Sequence, residues 1–130
     1  LIIDIATLTG AARVALGPDL PAIFTGSDEL AAALQQRGAA LDDPVWRMPL
    51  YGPYMERLKS KVSDFNNVSE GAFGGAITAA LFMQNFVSDP SRWLHMDTYG
   101  WNDKDRPGRP AGGEGLAMRA LFAVISERYS

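Results

Sequence analysis

Two short polar stretches contain the residue types from which this sequence could build a site. Residues 7–10 (T-L-T-G) follow an apolar run, and the pair His95 and Asp97 lies in a second apolar run. On a strand these two side chains point to the same face, where they could be metal ligands or a base and its orienting partner. Alternatively, His95 satisfies a core hydrogen bond, because the chain has no second histidine and no cysteine to complete a site.

Both stretches are predicted to lie at the ends of buried strands. Five of residues 1–6 are apolar and three of them are isoleucine, which is typical of a strand that is buried on both faces inside a parallel sheet. Residues 92–97 form another convincing strand. Open α/β sheets bind ligands at the carboxyl ends of their strands. Residues 7–10 are therefore either a binding loop or an ordinary turn into a helix that starts at Ala11.

Three longer helices are predicted to cover the sheet. Ser27 and the two acidic residues after it are a typical helix start. The glycine-rich residues 71–75 open into an apolar helix, and its small residues favour close packing over a phosphate-binding role. The last helix is predicted over residues 114–129. Its expected packing face consists of Leu116, Leu121, Phe122 and Ile125.

Several weaker expectations concern the middle of the chain. Gly38 is expected to weaken the helix that begins after Ser27. Asp42 and Asp43 are two adjacent carboxylates that could bind a metal, but a pair in a loop after a helix is more typical of exposed turn residues. Residues 62–67 begin with a strand-like alternation and end in turn residues.

The composition excludes several classes of partner. With 15 acidic and 12 basic residues the net charge is -3, so we expect no nucleic-acid partner. No apolar run is long enough for a membrane helix, and without cysteine there are no disulfides. A chain of 130 residues fits one domain. Because the opening strand needs neighbours on both sides and few later strands exist, we expect a piece of a longer protein.

Three stretches together resemble one enzyme family. They are D-I-A-T-L-T-G-A at residues 4–11, G-G-A-I-T-A-A at residues 74–80 and W-L-H-M-D at residues 93–97. In this order and spacing they resemble the catalytic domain of the leucyl aminopeptidase family, the cytosolic M17 metallopeptidases. The resemblance implies a three-layer α/β/α fold with a mixed sheet. It also implies that residues 1–130 are the C-terminal portion of that domain, without the upstream metal-binding part.

The resemblance implies a function for the parent protein. The family removes N-terminal amino acids from peptides with two divalent metal ions, zinc or manganese, and it is cytoplasmic and hexameric. Its metal ligands and catalytic arginine lie in motifs that this sequence lacks. Asp4, Asp64 and Asp97 are therefore not implied as metal ligands, no residue of this chain is implied as catalytic, and we expect the chain alone to be inactive.

The resemblance does imply substrate-binding residues in this chain. Thr7, Leu8 and Gly10 are implied to line the pocket for the first side chain and to hold the substrate through backbone groups. The Leu8 N–H is also implied to lie near a bound carbonate. Tyr99 and Asn102 belong to the loop that completes the pocket, and they imply a bulkier and more polar pocket than one for leucine.

Two alternatives to a metallopeptidase remain at the level of sequence. One is a non-catalytic homologue that keeps the fold as a structural or interaction module. The other is an α/β hydrolase with a nucleophile, but the chain has no G-x-S-x-G motif, and His95 has no convincing serine partner.

Overall fold

A four-stranded mixed sheet lies at the centre of the structure, a computed structural model that describes all 130 residues. The strands are β1 (Ile2–Ala6), β2 (Ala22–Phe24), β3 (Trp46–Arg47) and β4 (Trp93–Asp97). They lie in the order β1-β4-β2-β3, and only β2 and β4 are antiparallel to each other. Because β1 and β4 are parallel, their carboxyl ends lie at the same edge of the sheet.

Helices cover both faces of this sheet. The four α-helices are α1 (Gly10–Leu16), α2 (Asp28–Ala40), α3 (Gly75–Gln84) and α4 (Met118–Arg128). The remaining elements are two 3-10 helices (Gly52–Leu58 and Pro90–Arg92) and a small antiparallel pair, β5 (Trp101–Asn102) with β6 (Gly112–Gly113). One buried cluster joins α2 and α4 to the sheet, and a second joins α1 and α3 to its other face. The predicted three-layer α/β/α fold is confirmed.

The core is built around β4, whose five residues are all buried. Leu94 and Met96 pack with Ile23 against α2 and α4. Trp93 and His95 lie on the opposite face of the strand, where His95 stacks on Phe24. Each fully buried apolar side chain of this size stabilises the fold by about 1.5 to 3 kcal/mol relative to an exposed one.

The start of α2 at Ser27 was predicted correctly, and a second local cap, Thr9, precedes α1. The hydroxyl of Thr9 accepts from the Ala12 N–H and caps α1, and the hydroxyl of Ser27 accepts from the Leu30 N–H and caps α2. Both contacts span three residues, so they depend only on the neighbouring sequence.

The glycine-rich stretch before α3 serves packing, as predicted. Gly74 has a φ of +71°, and a Cβ there would lie 2.8 Å from the Tyr54 ring. A Cβ on Gly75 would lie 3.3 Å from the Cβ of Ala11, so the lack of a side chain lets α3 approach α1.

The expectation that Asp43 is an exposed turn residue is wrong, and Gly38 has a packing role that the sequence did not indicate. Gly38 is buried, and a Cβ there would lie only 2.8 Å from the Asp43 carbonyl oxygen, so glycine is what allows the chain to turn back over α2. Asp43 is 5% exposed, and its carboxylate accepts the backbone N–H groups of Ala117, Arg119 and Ala120. Asp43 thus caps α4 from 74 residues away in sequence, which no local pattern predicts.

The expectation that β1 is buried inside the sheet is also wrong for this structure. β1 is an edge strand, and its only strand partner is β4. Ile2 and Ile5 are 54% and 57% exposed. The β-branched composition predicted the strand itself, but burial depends on neighbours that the composition does not specify.

Two further expectations fail because tertiary contacts set the outcome. In α4 the buried residues are Ala120, Leu121 and Val124, whereas Phe122 is 73% exposed and Ile125 is also exposed. Leu121 of the predicted face is buried as expected, and it packs with Ala120 and Val124 in the cluster that includes α2. Residues 62–67 form bends and turns and no strand. None of the helices has the length and apolar character needed to cross a membrane.

Candidate functional site

Two loops meet at the carboxyl edge of the sheet. β1 leads through residues 7–9 into α1, and β4 leads into residues 98–100. The strands stay in register to their last pair, Ala6 and Asp97, and the Thr98 N–H then donates to the Ala6 carbonyl at 3.0 Å. The register of the two parallel strands therefore places both polar loops side by side.

The Asp97 carboxylate holds the first of these loops in place. It accepts from the Leu8 N–H at 3.1 Å, from the Thr9 N–H at 3.1 Å and from the Thr9 hydroxyl at 2.6 Å. Asp97 is only 4% exposed, so these three donors compensate a buried charge. It is a positioning residue, because its oxygens are already occupied by the loop.

The loops enclose a cavity of about 300 Å³. Three of the residues predicted to bind substrate, Thr7, Gly10 and Tyr99, line it. Thr9, Arg13, Asp97 and Thr98 also contribute to its wall. The Arg13 guanidinium carbon lies 4.6 Å from the centre of the Tyr99 ring, a distance typical of a cation–π contact.

Leu8 lies in the same loop but lines a different cavity. That cavity, of about 210 Å³, lies against α3 and is lined also by Leu58, Thr78 and Phe82. The Leu8 N–H donates to Asp97 in this structure. The loop therefore places Thr7 in the wall of the first cavity and Leu8 in the wall of the second.

Asn102 is not among the residues that line either of these cavities. It is buried in β5, where its amide nitrogen donates to the carbonyls of Arg109 and Pro110, and its oxygen accepts from Arg106 Nε at 3.0 Å. Arg106 also donates to Asp19 at 2.7 Å, and this hydrogen bond raises the pKa of the Arg106 guanidinium. Asn102 thus holds the loop between β5 and β6, and its contact with substrate stays a prediction.

His95 has the core role that was one of its two interpretations. It is 1% exposed, and its Nδ1 lies 2.5 Å from Asp4 Oδ1 on the neighbouring strand. Trp93 Nε1 donates to the other oxygen of Asp4 at 2.6 Å. His95 and Asp97 do share one face of β4, but each has its own partners and they do not form a pair.

The donor set of this chain does not fit a metal centre. No three histidine or acidic side chains come close enough together to hold an ion. The carboxylate of Asp4 is engaged by His95 and Trp93, and that of Asp97 by the loop it holds.

Several residues of the cavity wall were not predicted as substrate-binding residues, among them Arg13 and Thr98. Arg13 lies four positions after Thr9, so α1 places both on the side of the same cavity. Thr98 follows β4 directly, and its Oγ1 is buried with no hydrogen-bond partner. The helical spacing from the Thr9 cap was the available signal for Arg13, whereas Thr98 offered none beyond its place after a strand.

The comparison with protein families gives one match that covers nearly the whole chain. The model described as "Cytosol aminopeptidase family, catalytic domain" matches residues 1–122. A probable cytosol aminopeptidase of Synechococcus elongatus is 47% identical over 122 residues, which are 92% of this chain and 25% of that protein. The chain thus spans about a quarter of the length of the curated relatives it matches.

Solved structures agree in backbone as well as in sequence. The cytosol aminopeptidase from Coxiella burnetii is 54% identical, with a TM-score of 0.92 over 99% of this chain and 28% of that one. The bottromycin maturation enzyme BotP, solved in complex with Mn, is 35% identical, with a TM-score of 0.91 over 100% of this chain and 29% of that one.

Proposed function

We propose, because this chain belongs to the cytosol aminopeptidase family, that it is part of a metal-dependent aminopeptidase that removes N-terminal residues from peptides. Within that enzyme it supplies the loops that bind the substrate. The observation that carries this proposal is the cavity at the carboxyl edge of β1 and β4, which brings together Thr7, Gly10 and Tyr99. The comparisons give no support to a non-catalytic module.

The part of this chain in the reaction is to position the substrate. Asp97 fixes the backbone of the β1–α1 loop, and the loop wall then constrains the side chain of the residue being removed. Divalent metal ions, when bound in the enzyme, would polarise the scissile carbonyl and supply a hydroxide near neutral pH. Their ligands would come from outside this chain, since its own donors do not converge.

The wider context follows from the family. We propose that residues 1–130 are the C-terminal portion of the catalytic domain, and that the whole protein is a cytoplasmic hexamer that uses manganese or zinc. The Mn complex of BotP supports a divalent metal. Leu8 and Asn102 are proposed as further substrate contacts, Leu8 through the second cavity and Asn102 through the loop that it holds.

The test is a peptidase assay on the complete gene product that carries this chain. The purified protein is incubated with tripeptides, and the release of the first residue is followed by mass spectrometry. We expect release with Mn²⁺ or Zn²⁺, loss after treatment with a chelator, and recovery when metal is returned. Release of no N-terminal residue with either metal would refute the proposed activity.

A further inference from the structure

Arg13 is a cation in the cavity wall without an acidic partner. Its guanidinium makes no ion pair and no hydrogen bond, although seven ion pairs occur elsewhere in the chain. The nearest acid in the same wall, Asp97, already accepts from three donors. The charge of Arg13 is therefore available to a ligand.

Tyr99 holds this charge at the cavity. The guanidinium carbon lies 4.6 Å from the centre of the Tyr99 ring, and both residues line the same space. Stacking on an aromatic ring restricts the guanidinium plane while it leaves the N–H groups at the rim free to donate. Such an arrangement suits a carboxylate, which can accept two parallel N–H bonds from arginine.

The rest of the wall is mixed, with threonine side chains beside the apolar side chains of Ala12 and Leu20. Thr7 and Thr98 line the cavity, and Thr98 Oγ1 is buried without a partner. An aliphatic side chain would leave the charge of Arg13 without a partner.

We propose that Arg13 is a specificity residue that makes this pocket select substrates with an N-terminal glutamate or aspartate. The inference rests on the proposed function, because it takes the cavity as the pocket for the residue that is removed. The carboxylate of that residue would accept from the Arg13 guanidinium, and the amide side chain of glutamine, of nearly equal size, would not gain the charge interaction. Arg13 would thus distinguish the two by charge alone.

The test compares kcat/KM for matched substrates in the complete, metal-loaded gene product. The substrates are peptides with N-terminal Glu and Gln, and the variants are R13Q and R13K. We expect the wild-type protein to prefer Glu, and R13Q to lower the Glu-to-Gln ratio by about twofold to fivefold, as for an exposed charge pair. R13K should keep part of the preference, and added salt should weaken it in the wild-type protein.

Arg128 provides the matched control. It also lies over a tyrosine, Tyr129, at 6.0 Å, but on α4 and outside the proposed pocket. R128Q removes the same charge and should leave the Glu-to-Gln ratio unchanged. If Arg13 only supported the loop, R13Q would slow both substrates equally, and that outcome would overturn the inference.

A binding measurement separates this inference from the proposed function. Isothermal titration calorimetry with L-glutamate and L-glutamine measures the affinity of the pocket for each amino acid, whether or not peptides are cleaved. Tighter binding of glutamate that R13Q abolishes supports the inference, even if no peptide is hydrolysed and the proposed function fails. Equal binding of both amino acids in a protein that does cleave peptides overturns the inference and leaves the proposed function intact.

Discussion

Asp97 and Asp43 make similar contacts in two different regions of the molecule. Each is a buried carboxylate that accepts three hydrogen bonds from a distant part of the chain. Asp97 holds the loop before α1, next to an open cavity. Asp43 holds the start of α4, where Ala117 has a φ of +62° and offers no side-chain cap.

The difference lies in what surrounds each carboxylate. Around Asp97 the chain leaves a space of about 300 Å³ with an unpaired guanidinium in its wall. Around Asp43 the chain packs closely against α2. The Asp43 carbonyl oxygen lies so near Gly38 that a larger residue would not fit there. The same electrostatic contact thus positions a candidate site in one region and stabilises a packed corner in the other.

The largest effect is expected from D97A in the complete protein. Loss of the carboxylate leaves three donors without their acceptor, so the free energy of unfolding should fall by about 3 kcal/mol. Because the loop of the candidate site loses its anchor, kcat/KM for peptide cleavage should also fall about 100-fold or more. Chemical denaturation and steady-state kinetics on the folded protein measure the two effects separately.

The control for this variant is D89A. Asp89 makes a similar contact with the N–H and hydroxyl of Ser91, but it is exposed and far from the cavity. Peptide cleavage by D89A should match the wild-type protein. Normal kcat/KM in folded D97A would show that the loop keeps its geometry without Asp97. It would refute the claim that Asp97 positions the candidate site.

D43A should separate stability from activity. The N–H groups of Ala117, Arg119 and Ala120 lose their shared acceptor, and we expect the free energy of unfolding to fall by about 2 to 3 kcal/mol. The cavity does not include this corner, so kcat/KM per folded molecule should stay within about threefold of wild type. A loss of activity as large as that of D97A would mean that the two regions are coupled.

A smaller loss of stability is expected for G38A. The added Cβ would lie 2.8 Å from the Asp43 carbonyl oxygen, so the loop must shift, and the free energy of unfolding should fall by about 1 to 2 kcal/mol. G52A is the control, since nothing lies within 4 Å of a Cβ there and its φ is not positive. Thermal shifts of the same size in both variants would argue against close packing at Gly38.

The smallest effect is expected at Asp89, an exposed carboxylate that accepts hydrogen bonds from Ser91. Its hydrogen bonds to the Ser91 hydroxyl and N–H lower the pKa of the carboxyl below 3.8. A lowered folded-state pKa contributes stability that is present above the unfolded value and lost as the pH falls through the folded value. NMR titration should show a pKa below 3.8 in wild type and a return towards 3.8 in S91A; an unchanged pKa in S91A would refute the assignment.

The sequence predicted one side of the Asp97 and Asp43 comparison better than the other. Asp97 was recognised as lying at a strand end beside a candidate loop, and Thr7, Gly10 and Tyr99 do line one cavity there. Asp43 was taken for an exposed turn residue, because its partners lie more than 70 residues later. Asn102 was predicted as a pocket residue; its amide holds its own loop, and its contact with substrate stays a prediction.

The sequence by itself determined the features that depend on near neighbours. The strands follow from β-branched runs, and the helix starts at Thr9 and Ser27 follow from caps that reach three residues ahead. The three ordered motifs also carried the family. Only the tertiary structure decided that β1 lies at an edge, that α4 buries Ala120 rather than Phe122, and that Arg13 meets Tyr99. Such contacts join residues far apart in the chain, and their energies depend on packing geometry that local sequence does not encode.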